Sequence, residues 1–154
     1  MIPFAGSPLN RASEKRVDPT WIESKRRDPS SLMLPMWRLE PFLLGPENSS
    51  TPVQLGLVKP GVADSLAGAG AVCIFLGLDG DTALFALDVS HAAEPAKHGP
   101  LAGLGHFRDA RVAAQMGSIR DAAVIGQAKA MIDWHQRHGF CPKCAAPTKI
   151  MDAG

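Results

Sequence analysis

Two runs of mostly apolar residues give the clearest structural signal in the chain. Residues 71–78 and 82–89 are rich in residues that favour β-strands, and they are joined through Asp79-Gly80, a pair that accepts the backbone angles of a tight turn. Both faces of the first run are apolar: Val72, Ile74, Leu76 and Leu78 share one face, and Ala71, Cys73 and Phe75 share the other. The pattern therefore predicts a hairpin buried within a larger sheet, with Cys73 as a small core residue.

Shorter apolar stretches predict three more strands earlier in the chain. They cover residues 32–39, 41–44 and 53–58. Gly45-Pro46 and residues 48–52 are typical of turns and separate these strands.

Helical signals lie at both ends of the chain. After an ordered arm, Asp18 is a candidate N-cap with Pro19 as the first helical residue, and this helix is expected to end near Arg27. A short helix is predicted around residues 108–115. A capping box at 118–121 then predicts a long helix to about residue 138. Its expected packing stripe recurs at three- and four-residue spacing: Ala122, Ile125, Ala128, Ile132 and His135.

Composition and charge exclude several classes of protein. The 154 residues carry a net charge of +1, which gives no electrostatic footprint for nucleic acid or a membrane surface. The basic runs at 15–16 and 25–27 are interpreted as solvated helix faces. No apolar run is long enough to span a bilayer, and the N-terminus does not resemble a secretory signal. Three cysteines, an odd number, argue against a disulfide framework, so a cytoplasmic location is expected.

The chemistry most visible in the sequence is a Cys-x-x-Cys motif. Phe140-Cys141-Pro142-Lys143-Cys144 follows the long predicted helix and resembles a zinc knuckle, in which two thiolates hold one tetrahedral ion. A redox dithiol is the competing interpretation. Redox cysteines are usually activated at a helix N-terminus, whereas these follow a C-terminus, where the helix dipole opposes a thiolate. Zinc is therefore favoured, with Cys141 and Cys144 as ligands.

A structural zinc ion needs four ligands, and the motif supplies two. The sequence ends ten residues after Cys144 without a second Cys-x-x-Cys, so the chain is expected to hold half of a zinc site. His135 and His138 are possible internal substitutes. The favoured interpretation is that His135 packs and that His138 caps the helix.

Several motifs together resemble those of NADH pyrophosphatases, which are NAD diphosphatases of the Nudix hydrolase superfamily. The segment leading into the zinc ribbon of that family is similar to residues 127–130 and 134–138 and to Phe140-Cys141-x-x-Cys144-Ala145-Ala146-Pro147-Thr148. The start of bacterial members resembles residues 4–12, 18–21 and 34–38. The order of the motifs matches, and they span nearly the whole chain.

The resemblance implies an α+β fold and a division of the chain. Residues 1–107 would form a β-rich Nudix-like N-terminal domain, 108–139 a helical segment, and 140–154 the first half of a zinc ribbon. Family members also have a C-terminal Nudix catalytic domain, act as homodimers, and cleave NADH or NAD to nicotinamide mononucleotide and AMP with a divalent metal such as Mg²⁺ or Mn²⁺. Some also remove NAD caps from RNA. Cys141 and Cys144 would correspond to the first pair of zinc ligands.

The chain departs from the family in its acidic residues. The Nudix signature places Arg-Glu and Glu-Glu pairs on one helix to hold the metal, and this sequence contains neither dipeptide. Its glutamates are scattered: Glu14, Glu23, Glu40, Glu47 and Glu94. Asp79 and Asp81, the closest acidic pair, lie in a predicted turn. No catalytic or cofactor-binding residue is therefore expected.

Three functions follow as hypotheses. The favoured one is a non-catalytic N-terminal domain of an NADH pyrophosphatase, inactive on its own and partnered with a downstream catalytic domain. The second is a stand-alone zinc-dependent module that binds a partner. The third is a small redox protein that uses Cys141 and Cys144.

Overall fold

The computed structural model describes residues 6–48 and 53–154, which form a five-stranded sheet with helices on both faces. The strands are β1 Leu32–Trp37, β2 Glu40–Leu44, β3 Cys73–Asp79, β4 Thr82–Asp88 and β5 Gly105–Phe107. The helices are α1 Pro19–Arg27, α2 Pro60–Leu66, α3 Ala110–Met116 and α4 Ile119–Arg137, with one 3₁₀ turn at Gly99–Leu101. Two parts of the sequence predictions lie outside the described residues. They are residues 4 and 5 of the family-like motif at 4–12, and residues 49–52 of the predicted turn at 48–52.

The sheet is mixed, with strand order β3-β4-β1-β2-β5. Strands β1 and β4 are parallel, whereas the other neighbours are antiparallel. A mixed sheet combined with four helices confirms the predicted α+β class.

Each face of the sheet has its own hydrophobic core. On one face, Met33, Phe42, Phe75 and Phe85 pack with residues of α2, and Trp21 of α1 also contacts this core. On the other face, a second set of strand residues packs against α4: Leu34, Met36, Ile74, Leu76, Leu84 and Ala86. Burial on both faces explains why the strands are apolar at nearly every position.

Local capping signals place the helices as predicted. The Asp18 side chain accepts hydrogen bonds from the backbone N–H groups of Thr20 and Trp21 at the start of α1. Ser118 and Asp121 form both halves of the capping box of α4, which ends at Arg137. Helix α3 begins two residues later than predicted, because the Asp109 side chain caps it.

The packing stripe of α4 is broader than predicted and begins one residue later. Its buried residues are Ala123, Val124, Ile125, Ala128 and Ile132. Ala122 and His135 are only partly buried. Helix α3 packs beside α4, where Ala110, Ala113 and Ile125 surround Leu43 of β2. The predicted helical segment 108–139 is therefore in contact with the sheet.

Two predicted strands differ from the structure. Strand β1 ends at Trp37, because Arg38 and Leu39, with φ angles of +52° and +68°, form the tight turn into β2. The predicted strand at 53–58 forms only isolated bridges, of Leu55 with Leu43 and of Val58 with Met33. Helix α2, which follows, was not predicted from the sequence.

The predicted hairpin is confirmed as β3 and β4, but its pattern of faces is wrong at Leu78. A β-bulge shifts the register between Phe75 and Gly77, so the alternation of sides changes phase. Leu78 therefore packs with the core that contains Phe75, while Ile74 and Leu76 face α4.

The free edge of β3 is covered by the two ends of the described chain. The N-terminal arm pairs Asn10 with Leu78 through two backbone hydrogen bonds of 2.8 Å. Near the other end of the chain, the Phe75 N–H donates to the carbonyl of Ala153. Within the described residues, no helix has the length and apolar character needed to cross a membrane.

Candidate metal site after the long helix

The last turn of α4 is closed by His138. Its backbone N–H donates to the Trp134 carbonyl at 2.9 Å, and its Nδ1 lies 2.8 Å from the same oxygen. The imidazole also stacks on the Trp134 ring, with 3.7 Å between the ring centroids. His138 thus caps the helix.

Residues 139–148 fold back on themselves as a small hairpin. Phe140 and Pro147 form an antiparallel bridge, and the Cys141 N–H donates to the Ala146 carbonyl at 2.8 Å. The Ala145 N–H donates back to the Cys141 carbonyl, and Ala145 has a φ of +57°. This turn brings Cys141 and Cys144 together at one end of the hairpin. We call the hairpin, residues 139–148, the knuckle.

Hydrogen bonds within the knuckle favour the thiolate of Cys141. The backbone N–H groups of Lys143 and Cys144, and then the Cys144 thiol, donate to its sulfur and hold the pKa of Cys141 below its ordinary value. These hydrogen bonds act on the sulfur in the opposite sense to the helix dipole. A lowered thiol pKa suits a zinc ligand and a redox cysteine equally, because both react as thiolates.

The residues around the knuckle do not complete a metal site. In the described part of the chain, no three His, Cys, Asp or Glu side chains cluster closely enough to hold an ion. His135 lines the same shallow groove as Cys141, a space of about 290 Å³. Its Nε2 is buried and has no hydrogen-bond partner among residues 6–48 and 53–154, and burial lowers the pKa of the ring.

The two thiols fit half of a structural zinc site. Sulfur donors on a tight turn, with N–H groups directed at one of them, match the ligand chemistry of zinc. A closed tetrahedral site needs two further ligands, and the described residues do not bring any to the knuckle.

Asp79 and Glu23, two of the acidic residues considered above, form ion pairs at the surface. Asp79, at the end of β3, pairs with Arg120 of α4. Glu23 pairs with Arg26 and Arg27 within α1. These carboxylates stabilise helices and turns.

The other sequence candidates lie apart from the knuckle in the fold. Cys73 is partly buried against the sheet core, and burial raises the pKa of its thiol to about 11, as expected of a core cysteine. His91 and His98 are exposed in the loop after β4.

Sequence reasoning missed two features of this region. The stacking of His138 on Trp134 has a local signal, since residues four apart share one helix face. The second feature is the burial of Arg16, which has no local signal in the sequence. Arg16 was expected on a solvated face, but it is only 9% exposed because its guanidinium donates to main-chain carbonyls far away in sequence.

Comparison with known proteins identifies related sequences. Residues 30–134 match the profile of the NUDIX-like family, described as an NADH pyrophosphatase-like rudimentary NUDIX domain. That match covers the sheet, α3 and most of α4.

Similar proteins include three mammalian relatives, each named NAD-capped RNA hydrolase NUDT12. Those of Homo sapiens and Macaca fascicularis are 27% identical over 187 aligned residues, and that of Pongo abelii is 26% identical. The alignments cover 98% of this chain but 38% of each relative. The chain thus spans less than half the length of these relatives.

Proposed function

Because the chain belongs to the family of NADH pyrophosphatase-like rudimentary NUDIX domains, we propose that it is the non-catalytic N-terminal domain of a hydrolase that cleaves NADH or NAD. The family match over residues 30–134 carries this proposal. Similarity to NAD-capped RNA hydrolases extends it to NAD caps on RNA as a possible substrate class. In this proposal, the protein is cytoplasmic and forms a homodimer.

The acidic residues support a non-catalytic role. Pyrophosphate hydrolysis in this superfamily uses clustered carboxylates to hold Mg²⁺ or Mn²⁺ and to activate water. The sequence has five glutamates, and none is adjacent to another or directly follows an arginine. We therefore assign the catalytic metal to a separate downstream Nudix domain of the parent enzyme.

The geometry of the knuckle supports a structural role for zinc. Cys141 and Cys144 would provide two thiolate ligands, and a second Cys-x-x-Cys of the parent would provide the other two. Zinc would then hold the knuckle closed and contribute to folding, without acting on substrate.

The first test is NADH hydrolysis by the purified 154-residue chain with Mg²⁺ or Mn²⁺, measured as release of AMP. We expect no AMP above a blank without protein. Asp81→Asn is the matched variant, because Asp81 is the exposed turn residue of the closest acidic pair, Asp79 and Asp81. Sustained AMP release that this variant abolishes would place an active site on this chain and contradict the proposal.

The second test is titration with Co²⁺, which reports thiolate ligands by its absorption. We expect Cys141→Ser and Cys144→Ser each to weaken the thiolate absorption, with Cys73→Ser as the matched control that leaves it unchanged. Absorption that survives both knuckle substitutions would contradict the assignment of the ligands.

A redox function is the second candidate, because the lowered pKa of Cys141 suits a redox thiol as well as a zinc ligand. It requires a disulfide between Cys141 and Cys144 that forms and opens reversibly at a potential within the cellular range. Equilibration with glutathione buffers, followed by mass spectrometry, distinguishes the two functions. Thiols that remain reduced in oxidising buffer would exclude the redox function.

A further inference from the structure

The edge of β3 holds a short segment from the other end of the described chain. Residues 151–154 form a tight turn, in which the Gly154 N–H donates to the Met151 carbonyl at 3.0 Å. Within that turn, the Ala153 carbonyl accepts the Phe75 N–H at 3.0 Å. Phe75 lies on the outermost strand of the sheet, so this bond occupies a backbone group that would otherwise be open to pairing.

Arg16 joins the same segment to the same strand. Its Nε donates to the Asp152 carbonyl at 2.8 Å, and one terminal nitrogen donates to the main-chain oxygen of Gly154 at 3.2 Å. That nitrogen also lies 3.3 Å from the Phe75 carbonyl. One side chain therefore contacts β3 and the 151–154 segment together.

The burial of Arg16 makes these contacts energetically important. The residue is 9% exposed, and it forms no ion pair with a carboxylate among the described residues. A buried guanidinium is costly unless its donors are used, and here the main-chain oxygens accept them. Burial also lowers the pKa of Arg16, and the guanidinium lies 5.8 Å from the Phe75 ring centroid.

The fit of the segment is also close at Gly154. A Cβ at this position would lie 2.4 Å from Cγ2 of Ile74, and its φ is +121°. The β3 edge thus accepts a glycine at position 154 and excludes a larger side chain. The Arg16 guanidinium donates hydrogen bonds only to main-chain oxygens among the described residues.

We propose that Arg16 and the β3 edge form an intramolecular docking site whose ligand is the segment Met151–Gly154 of the same chain. The docked segment fixes where the chain leaves the domain after the knuckle, so the knuckle is restrained at both ends. Helix α4 restrains its first end, and the docked segment restrains its second. The docking site requires no metal and is independent of the function proposed above.

The chain itself is the favoured occupant, because it presents the segment at high effective concentration. The knuckle is already closed by the hydrogen bond between the Thr148 N–H and the Gly139 carbonyl at 3.0 Å. Only a short connection then separates Thr148 from the docked turn, which a second copy would have to displace.

Hydrogen exchange at the Phe75 amide tests the proposal, because this amide bonds to the docked segment. In Arg16→Met, we expect it to exchange about tenfold faster or more than in the unchanged protein, since local opening becomes easier. The Met33 amide, which donates to the Val58 carbonyl at an isolated bridge beside β1, is the internal reference and should not change. Arg11→Met, which removes an exposed neighbouring cation, is the matched control.

A second variant keeps the test decisive if loss of Arg16 prevents folding. Gly154→Ala introduces the clash with Ile74 at a surface position and should also speed exchange at Phe75. Gly139→Ala, where a Cβ has open space, should not. Unchanged Phe75 exchange in Gly154→Ala and in folded Arg16→Met would overturn the docking site. Protection of Phe75 that rises with protein concentration would instead identify a second copy as the occupant.

Discussion

At the scale of single residues, the two types of cysteine show how position decides chemistry. Cys73 faces the sheet core, and desolvation raises the pKa of its thiol to about 11. Cys141 lies in an exposed turn whose N–H groups stabilise the thiolate and lower its pKa. The apolar run around Cys73 predicted a core cysteine correctly, whereas the Cys-x-x-Cys spacing predicts a metal-ligand role for Cys141.

The raised pKa of Cys73 predicts a loss of stability at alkaline pH. The native thiol holds its proton more tightly than the unfolded one, whose pKa is 9.0, so stability is intact below that pH and falls as pH rises toward 11. Between pH 8 and 10.5 the loss from this group is about 2 kcal/mol. Urea denaturation of Cys73→Ala should lack this component, although the variant is less stable at pH 8. Equal pH dependence in both proteins would contradict the prediction.

Gly77 is a second residue whose environment is set by a segment that is distant in sequence, the N-terminal arm. Its φ is +150°, and an added Cβ would lie 2.7 Å from the Asn10 carbonyl oxygen. Gly77→Ala should therefore cost about 3 kcal/mol or more, from backbone strain and displacement of the N-terminal arm. Gly80→Ala is the control, because Gly80 has a φ of +57° but open space around it. It should cost about 1 kcal/mol. Similar costs in urea denaturation would show that the contact with Asn10 contributes little.

At the scale of elements, local signals were predicted well and non-local ones were not. Helices α1 and α4 carry their caps in the adjacent sequence, and the β3–β4 hairpin carries its turn residues. The turn at Arg38-Leu39 has no such signal, since neither residue favours a positive φ. The bulge between Phe75 and Gly77 shifts the register, so Leu78 was assigned to the wrong face. The knuckle cysteines were found by their spacing, whereas the contacts of Arg16 span more than 130 residues.

The capping box gives a prediction about α4. Ser118→Ala removes the side-chain acceptor for the Asp121 N–H and should cost about 1 kcal/mol. Ser24→Ala in α1 is the matched control, because the Ser24 hydroxyl donates only to the Trp21 carbonyl of its own helix. It should be nearly neutral. Thermal unfolding followed by circular dichroism measures both variants, and an equal change in each would remove the special role of the cap.

At the scale of the whole molecule, the long helix and one face of the sheet share a hydrophobic core. Ile132 of α4 is fully buried with Leu34, Ile74 and Leu76 of the sheet. Strand residues and helix residues therefore exclude water together, although the sequence assigned them to separate segments. This shared burial means that α4 and the sheet should unfold in one cooperative step.

A pair of isoleucines in α4 tests this cooperativity. Ile132 has no exposed surface, whereas Ile119 is 50% exposed at the start of the same helix. Ile132→Ala should cost about 2–5 kcal/mol, because it removes buried apolar contacts and leaves a cavity, while Ile119→Ala should cost well under half as much. The free energy of unfolding is measured by urea denaturation, and hydrogen exchange is measured at Met33 of β1 and Phe85 of β4. If α4 were an independent appendage, Ile132→Ala would leave sheet exchange unchanged. An equal increase in the exchange rates of helix and sheet amides would establish that α4 and the sheet unfold as a single unit. The knuckle, which follows α4, would then be held at a fixed position relative to the sheet.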